Sequence, residues 1–211
     1  MHEALIAGPA GNLQVRVDGP AQANHPVVVI CHPHPEFGGT LNNKVVHTLA
    51  RAAVEQGLTA IRFNFRGVGE SEGCFDQGEG ELDDLLCVME WARTKYPAQP
   101  ICLAGFSFGA YIAARAAQQN NIQRLLLVAP SVTLYDMSGI NNIPVPWTVI
   151  QGMADEIIPA KQVLDWVNRQ KRPPVLHQLE GVSHFFHGHL VQLRQLASEA
   201  FSMALINKEI S

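Results

Sequence analysis

The chain lacks any apolar run long enough to cross a bilayer. Its strongest, "VVVIC" and "LLLVA", span five residues each, against the roughly 20 that a membrane helix needs. Charge is also sparse. Only 16% of residues are Asp, Glu, Lys or Arg, and the net charge is −4, which argues against electrostatic capture of nucleic acid or of an anionic membrane. The four cysteines, Cys31, Cys74, Cys87 and Cys102, form no CxxC pair and no regular spacing. Two of them sit inside apolar runs, where cysteine behaves as a small hydrophobe, so a disulfide scaffold is not indicated. The opening "MHEALIAGPAG" has neither the basic flank nor the long apolar core of a secretory signal. A reduced, cytoplasmic protein is expected. No GxxxxGK[ST] occurs, and Gly67, Gly69 and Gly73 of "RGVGESEG" miss the GxGxxG spacing, so a P-loop and a dinucleotide site are both disfavoured. Repeats and low-complexity tracts are absent. With 211 residues and 47% hydrophobic content, one globular domain over residues 1–211 can bury its own core.

What is present alternates. "EALIAG" and "NLQVRV" read as a hairpin joined across Gly8 to Gly11. "PVVVIC", "LTAIRFNF", "PICLAGF", "IQRLLLVAP", "PWTVIQG" and "PVLHQLEG" then read as strands, most of them continuously apolar. Between and after them, helical spacing predicts helices over 42–56, 79–96, 107–119, 159–169 and 188–206. Gly57 supplies the stop of the first. In the second, Leu82, Leu85, Leu86, Met89 and Ala92 share a face, and early acids (Glu79, Glu81, Asp83, Asp84) with late Arg93 and Lys95 suit the helix dipole. Strands alternating with helices indicate an α/β fold, a mostly parallel central sheet covered on both faces in three αβα layers. Active sites of such sheets lie beyond the carboxyl ends of the strands.

The chemically conspicuous residues fall at those ends. "LAGFSFGAY" places Ser107 between Gly105 and Gly109 at a strand-to-helix junction. By composition, the GxSxG pattern would arise by chance only about 0.05 times per chain of this length. A sharp turn there lifts the hydroxyl clear, and the following helix N-terminus supports developing negative charge. The competing reading is a small-residue patch where helix packs on sheet. A serine hydroxyl needs a base, and near neutral pH that base is histidine. His184, after the last strand in "EGVSHFF", leads over His187 and His189. Asp155 in "QGMADEIIP" leads over its neighbour Glu156 and over Asp136 as the acid that orients it, although aspartate is also a common helix cap. Backbone donors for an oxyanion are expected at Phe108 and in "HPHPEFGG". Pro33 and Pro35 have no N–H, which leaves His34, Glu36, Phe37 and the glycines, with His34 preferred. Phe37, Phe106, Phe108, Phe185 and Trp147 are expected near the loops as an apolar substrate pocket. His32/His34 and His184/His187/His189 do not suit a metal, the first pair being interleaved with prolines, so no metal and no cofactor are expected.

"CHPHPEFGG", "FNFRGVGESEG", "GFSFG", "GMADEIIP" and "GVSHFF" together resemble the α/β-hydrolases, nearly end to end, and among them small bacterial hydrolases related to dienelactone hydrolases and serine aminopeptidase-like enzymes. The resemblance implies a Ser107–His184–Asp155 triad, an oxyanion hole at Phe108 and His34, and an acyl-enzyme route without cofactor. Two departures stand out. Only Ser131 to Ile143 occupies the place where many relatives carry a cap domain, so an open site roofed by Tyr135 and Met137 is expected. The usual His-Gly pair of the oxyanion loop is His32-Pro33. The leading expectation is an esterase acting on small acyl substrates. An amidase or peptidase, with Glu36, Glu70 and Glu72 receiving a free amino group, is the alternative. A silent ligand- or partner-binding scaffold, with "HFFHGH" as a possible contact patch, is the alternative of another class. A homodimer is compatible with the sequence.

Overall fold

The computed structural model describes residues 2–20 and 25–202. Eight strands form one sheet: β1 (His2–Gly8), β2 (Gly11–Asp18), β3 (Val27–Cys31), β4 (Thr59–Phe63), β5 (Ile101–Phe106), β6 (Arg124–Val128), β7 (Trp147–Gly152) and β8 (Val175–Leu179). Their order across the sheet is β1-β2-β4-β3-β5-β6-β7-β8. The first hairpin forms and lies antiparallel along β4, and every pairing from β4 through β8 is parallel. The helices are α1 (Lys44–Glu55), α2 (Glu79–Lys95), α3 (Phe108–Gln119), α4 (Ala160–Asn168) and α5 (Leu190–Ala200). The expected extension of the last helix to 206 ends at Ala200, and residues 203–206 lie outside the described residues.

The two-residue period of a strand divides the core into two slabs. Val27, Val29, Cys31, Leu103, Leu125, Leu127 and Val149 pack with α2, α3 and α4 on one face. Val28, Ile30, Ala104, Phe106, Leu126, Val128 and Ile150 pack with α1 and α5 on the other. Both faces of each central strand are therefore apolar, which is why those segments read as unbroken hydrophobic runs. Each fully buried Val, Leu or Ile contributes about 1.5–3 kcal/mol by leaving water.

Several helix ends differ from the sequence reading. α1 begins at Lys44 because Asn43 caps it, its Oδ1 accepting from the Val45 N–H at 2.9 Å. In α2, the early acids do more than answer the helix dipole. Glu81 and Asp84 are fully buried. Glu81 accepts from the N–H groups of Asp76 (2.9 Å) and Gly78 (2.7 Å), and Asp84 pairs with Arg66 through Nη2 at 2.8 Å and also receives the Arg66 N–H. Thus "RGVGESEG" fastens the chain after β4 onto α2. Asn64 and Arg62, from the same strand end, hold the backbone of Leu41 at its N–H and carbonyl, both at 2.8 Å.

Gly109 is required by close approach. A Cβ there would fall on the carbonyl oxygens of Cys31 and His32, and one on Gly105 would fall on the Gly109 carbonyl. None of these backbone atoms can yield without separating α3 from the sheet. Gly109→Ala should therefore lower unfolding stability by at least about 2 kcal/mol, read as a shifted urea midpoint at unchanged slope.

Candidate active site

Ser107 occupies the turn from β5 into α3 with φ 55° and ψ −114°, a left-handed conformation rare for a residue with a side chain. Its N–H is fixed to the Val128 carbonyl at 2.9 Å. Strain of this kind persists only where the surroundings over-determine it, and it concentrates at functional positions. Phe108 opens α3, so its N–H is one of the helix donors without an intrahelical acceptor.

The loops after β7 and β8 bring Asp155 and His184 to this serine. His184 Nε2 lies 3.1 Å from Ser107 Oγ, and His184 Nδ1 lies 2.8 Å from Asp155 Oδ2. All three residues are buried. Asp155 Oδ1 accepts from the N–H groups of Ile157 (2.9 Å) and Ile158 (2.7 Å), leaving Oδ2 to His184 and to Gln151 Nε2 at 3.2 Å. Burial opposes ionisation of Asp155. The hydrogen bonds from His184 and the Ile158 and Ile157 N–H groups outweigh it, and the carboxyl is held below the usual carboxylate range. With Asp155 ionised, Nδ1 carries the imidazole proton and Nε2 faces the serine as a base. Phe106 backs the imidazole at a ring separation of 5.0 Å.

The family model described as serine aminopeptidase, S33, matches residues 22–190. The chain belongs to that family. An α/β serine hydrolase homologue from Coxiella burnetii is 44% identical, with a TM-score of 0.90 over 94% of this chain and 96% of that one. An α/β serine hydrolase without lid from Xanthomonas campestris is also 44% identical, with a TM-score of 0.88 over 94% and 92%. An uncharacterised protein of Rickettsia prowazekii is 36% identical over 196 residues, 88% of this chain and 82% of its own. This S33-family chain has the α/β-hydrolase fold, and its family is one of serine hydrolases.

The S33-family site opens into a cleft of about 130 Å³ bordered by Ser107, Phe108, His184, Phe37, Tyr135 and Phe185, among others. No cap covers it. Residues 129–146 between β6 and β7 form a short irregular connection. Tyr135 reaches the cleft, but Met137 does not. It is buried beside α4, where its carbonyl accepts from Trp166 Nε1 at 3.3 Å. Two expected pocket residues are also placed elsewhere. Trp147 begins β7, at the edge remote from Ser107, packing against Trp166 at 5.5 Å and donating to the Arg172 carbonyl at 2.9 Å. Phe106 points to the α1 and α5 face, where it supports His184 and does not line the cleft.

The competing site residues are accounted for. His187 is exposed against Phe185, and His189 stands at the N-terminal end of α5 with no capping hydrogen bond from its side chain. Asp136 is exposed and accepts from the Ser138 N–H at 2.8 Å. Glu156 holds the backbone N–H of His184 at 3.1 Å, a positioning contact that its adjacency to Asp155 hinted at. Glu70 and Glu72 do not join Glu36 as a cluster. Glu72 accepts from the Asn12 N–H in the first hairpin, the Glu70 backbone faces Gln14, and Glu36 lies on the 3-10 turn Pro35–Phe37. Among the described residues that line the cleft there is no Asp or Glu.

His32 is fully buried and locks the turn after β3. Its Nε2 accepts from the Phe65 N–H at 3.0 Å, so Nδ1 bears the proton and donates to the Pro33 carbonyl at 2.6 Å. Burial pushes its pKa down to about 4, against the opposing Pro33 contact and with His34 adding to the fall. In the unfolded chain this imidazole titrates near 6.5. Between those values the unfolded chain binds a proton that the native one refuses, so stability is lost as pH falls from about 6.5 to about 4, by roughly 3 kcal/mol in full. Urea unfolding at pH 7.0 and 4.5 should show this loss. His32→Gln should be less stable at pH 7.0 but flatter across the same window.

Proposed function

We propose that the protein is a carboxylesterase for small esters with an apolar acyl group, working through an acyl-enzyme. The observation that carries the reading is the aligned pair of contacts, Ser107 Oγ to His184 Nε2 at 3.1 Å and His184 Nδ1 to Asp155 Oδ2 at 2.8 Å, at the floor of an open cleft. His184 takes the Ser107 proton as Oγ attacks the ester carbonyl, and the electron pair of the C=O moves onto oxygen. The N–H groups of Phe108 and His34 receive that oxyanion. Collapse expels the alcohol, protonated by His184, and water repeats the sequence to release the acid.

The cleft supports an ester over an aminoacyl substrate. A free α-ammonium would call for a carboxylate, and the lining supplies none. The exposed apolar side chains of Phe37, Leu134, Ile157 and Phe185 come from separate loops and ring the mouth, suiting an apolar acyl portion. At about 130 Å³, the cleft is smaller than the roughly 300–1,000 Å³ of sites for drug-sized ligands. Short-chain p-nitrophenyl esters should be hydrolysed at least tenfold more efficiently, by kcat/KM, than aminoacyl p-nitroanilides. Faster turnover of the anilides would instead favour the peptidase reading.

A further inference from the structure

We infer that Ser131 is a substrate-binding residue whose hydroxyl engages an oxygen carried by the acyl group near the reacting carbonyl. The favoured substrates are then small hydroxy- or oxo-acyl esters, not plain alkanoates. This rests on Ser107 acting as an acylated nucleophile.

Ser131 borders the same cleft as Ser107 and His184 and is fully buried, and its Oγ has no hydrogen-bond partner among the described residues. Buried hydroxyls are nearly always satisfied, so an orphan demands an explanation. Other buried side-chain atoms without partners, such as Thr133 Oγ1 and Gln170 Oε1, belong to residues outside the cleft lining. At Ser131 the orphan and the cleft coincide. In the wall its Oγ is shielded from solvent, and its position is set by a single side-chain torsion, Cα–Cβ.

The backbone around it is held firmly. Ala129, two residues earlier, sits at φ 45° with its N–H on the Ile150 carbonyl at 3.0 Å. The Ser131 carbonyl accepts from the N–H groups of Leu134 (3.3 Å) and Tyr135 (3.2 Å). A left-handed alanine is costly, and such residues gather at ligand sites. Together these contacts fix the Ser131 Cα and leave only the hydroxyl rotor free.

The rest of the lining narrows the ligand. Asn43 Oδ1 is committed to the Val45 N–H and His34 Nδ1 to the Glu36 N–H. The Tyr135 ring stacks on Tyr111 at 4.7 Å, and burial, aided by Glu81, pushes its phenol up to about 12, keeping it neutral. Among the described residues that line the cleft there is no Asp, Glu, Lys or Arg, so Ser131 is suited to a neutral group. A hydroxyl both donates and accepts, which suits a hydroxyl or an oxo group. A cleft of about 130 Å³ suits a compact acyl group that carries such an oxygen near its carbonyl.

The test compares p-nitrophenyl butyrate with p-nitrophenyl 2-hydroxybutyrate, 3-hydroxybutyrate and 3-oxobutyrate in wild type, Ser131→Ala and Ser131→Thr. Fluorophosphonate labelling and melting temperature are recorded for each. In wild type, at least one oxygenated ester should exceed butyrate in kcat/KM. Ser131→Ala should lower that ratio about 10- to 100-fold, as expected when a polar partner in a buried site is lost. Ser131→Thr, which keeps the hydroxyl, should restore most of it, and Ser131→Ala should melt no lower than wild type. A ratio that stays the same in Ser131→Ala overturns the inference, as does a wild type that labels but prefers butyrate to every oxygenated ester. Unlabelled, folded wild type would instead remove the nucleophile reading and the inference with it.

Discussion

Ser107→Ala is expected to lower kcat for short-chain esters by at least about 10⁴-fold while leaving the fold intact. Oγ makes one contact, to His184 Nε2 at 3.1 Å, and the turn is held by the Ser107 N–H on the Val128 carbonyl, which alanine keeps. Alanine at φ 55° is strained no more than serine is. In the proposed mechanism nucleophile and base act as one unit, so His184→Ala should cost about as much, and the double variant no more than either alone. The measurement is kcat for each variant beside its urea midpoint. A Ser107→Ala enzyme within tenfold of wild type would contradict the mechanism.

Asp155→Asn is expected to cost about 10³–10⁴-fold in kcat, again without unfolding. The two oxygens of Asp155 serve different partners, which separates catalysis from structure. Oδ1 receives the N–H groups of Ile157 and Ile158, and an asparagine Oδ1 does the same. The amide nitrogen would then face His184 Nδ1 and Gln151 Nε2, where a carboxylate oxygen had accepted. Gln151 keeps its orientation, because its Nε2 also donates to the Gly152 and Ile158 carbonyls at 3.0 and 3.4 Å. The imidazole can answer only by moving its proton to Nε2, and a protonated Nε2 cannot receive the serine proton. Raising the pH does not restore that tautomer, so the loss should persist to about pH 9. Recovery of activity at high pH would show that Asp155 acts by charge alone.

Much of the fold was legible because its causes are local. "VVVIC" and "LLLVA" are apolar on both faces, which only an interior strand explains, and Gly105, Ser107 and Gly109 mark the one turn where α3 lies directly on the sheet. The polar residues could be ordered by the rule that parallel strands present their carboxyl ends on one edge. Trp147 was misplaced against that same rule. It begins its strand, so chain direction alone puts it at the opposite edge. The roles of Glu81 and Asp84 were not legible, because an acid early in a helix suits the dipole whether it is exposed or buried, and only the approach of Arg66 decides. His32 and Ser131 depend on contacts between segments far apart in sequence, which no local spacing encodes. Phe106 is near the site but faces α1 and α5, the side that the two-residue period gives it with Cys102 and Ala104.

Labelling with a fluorophosphonate probe at neutral pH, on wild type, Ser107→Ala and His184→Ala, tests the central claim most directly. Such a probe reacts with an activated serine and is indifferent to the natural ester. The arrangement of Ser107, His184 and Asp155 predicts one label per chain in wild type, located on Ser107, and none in either variant. Folded wild type that takes no label, or a label that survives Ser107→Ala, would contradict it.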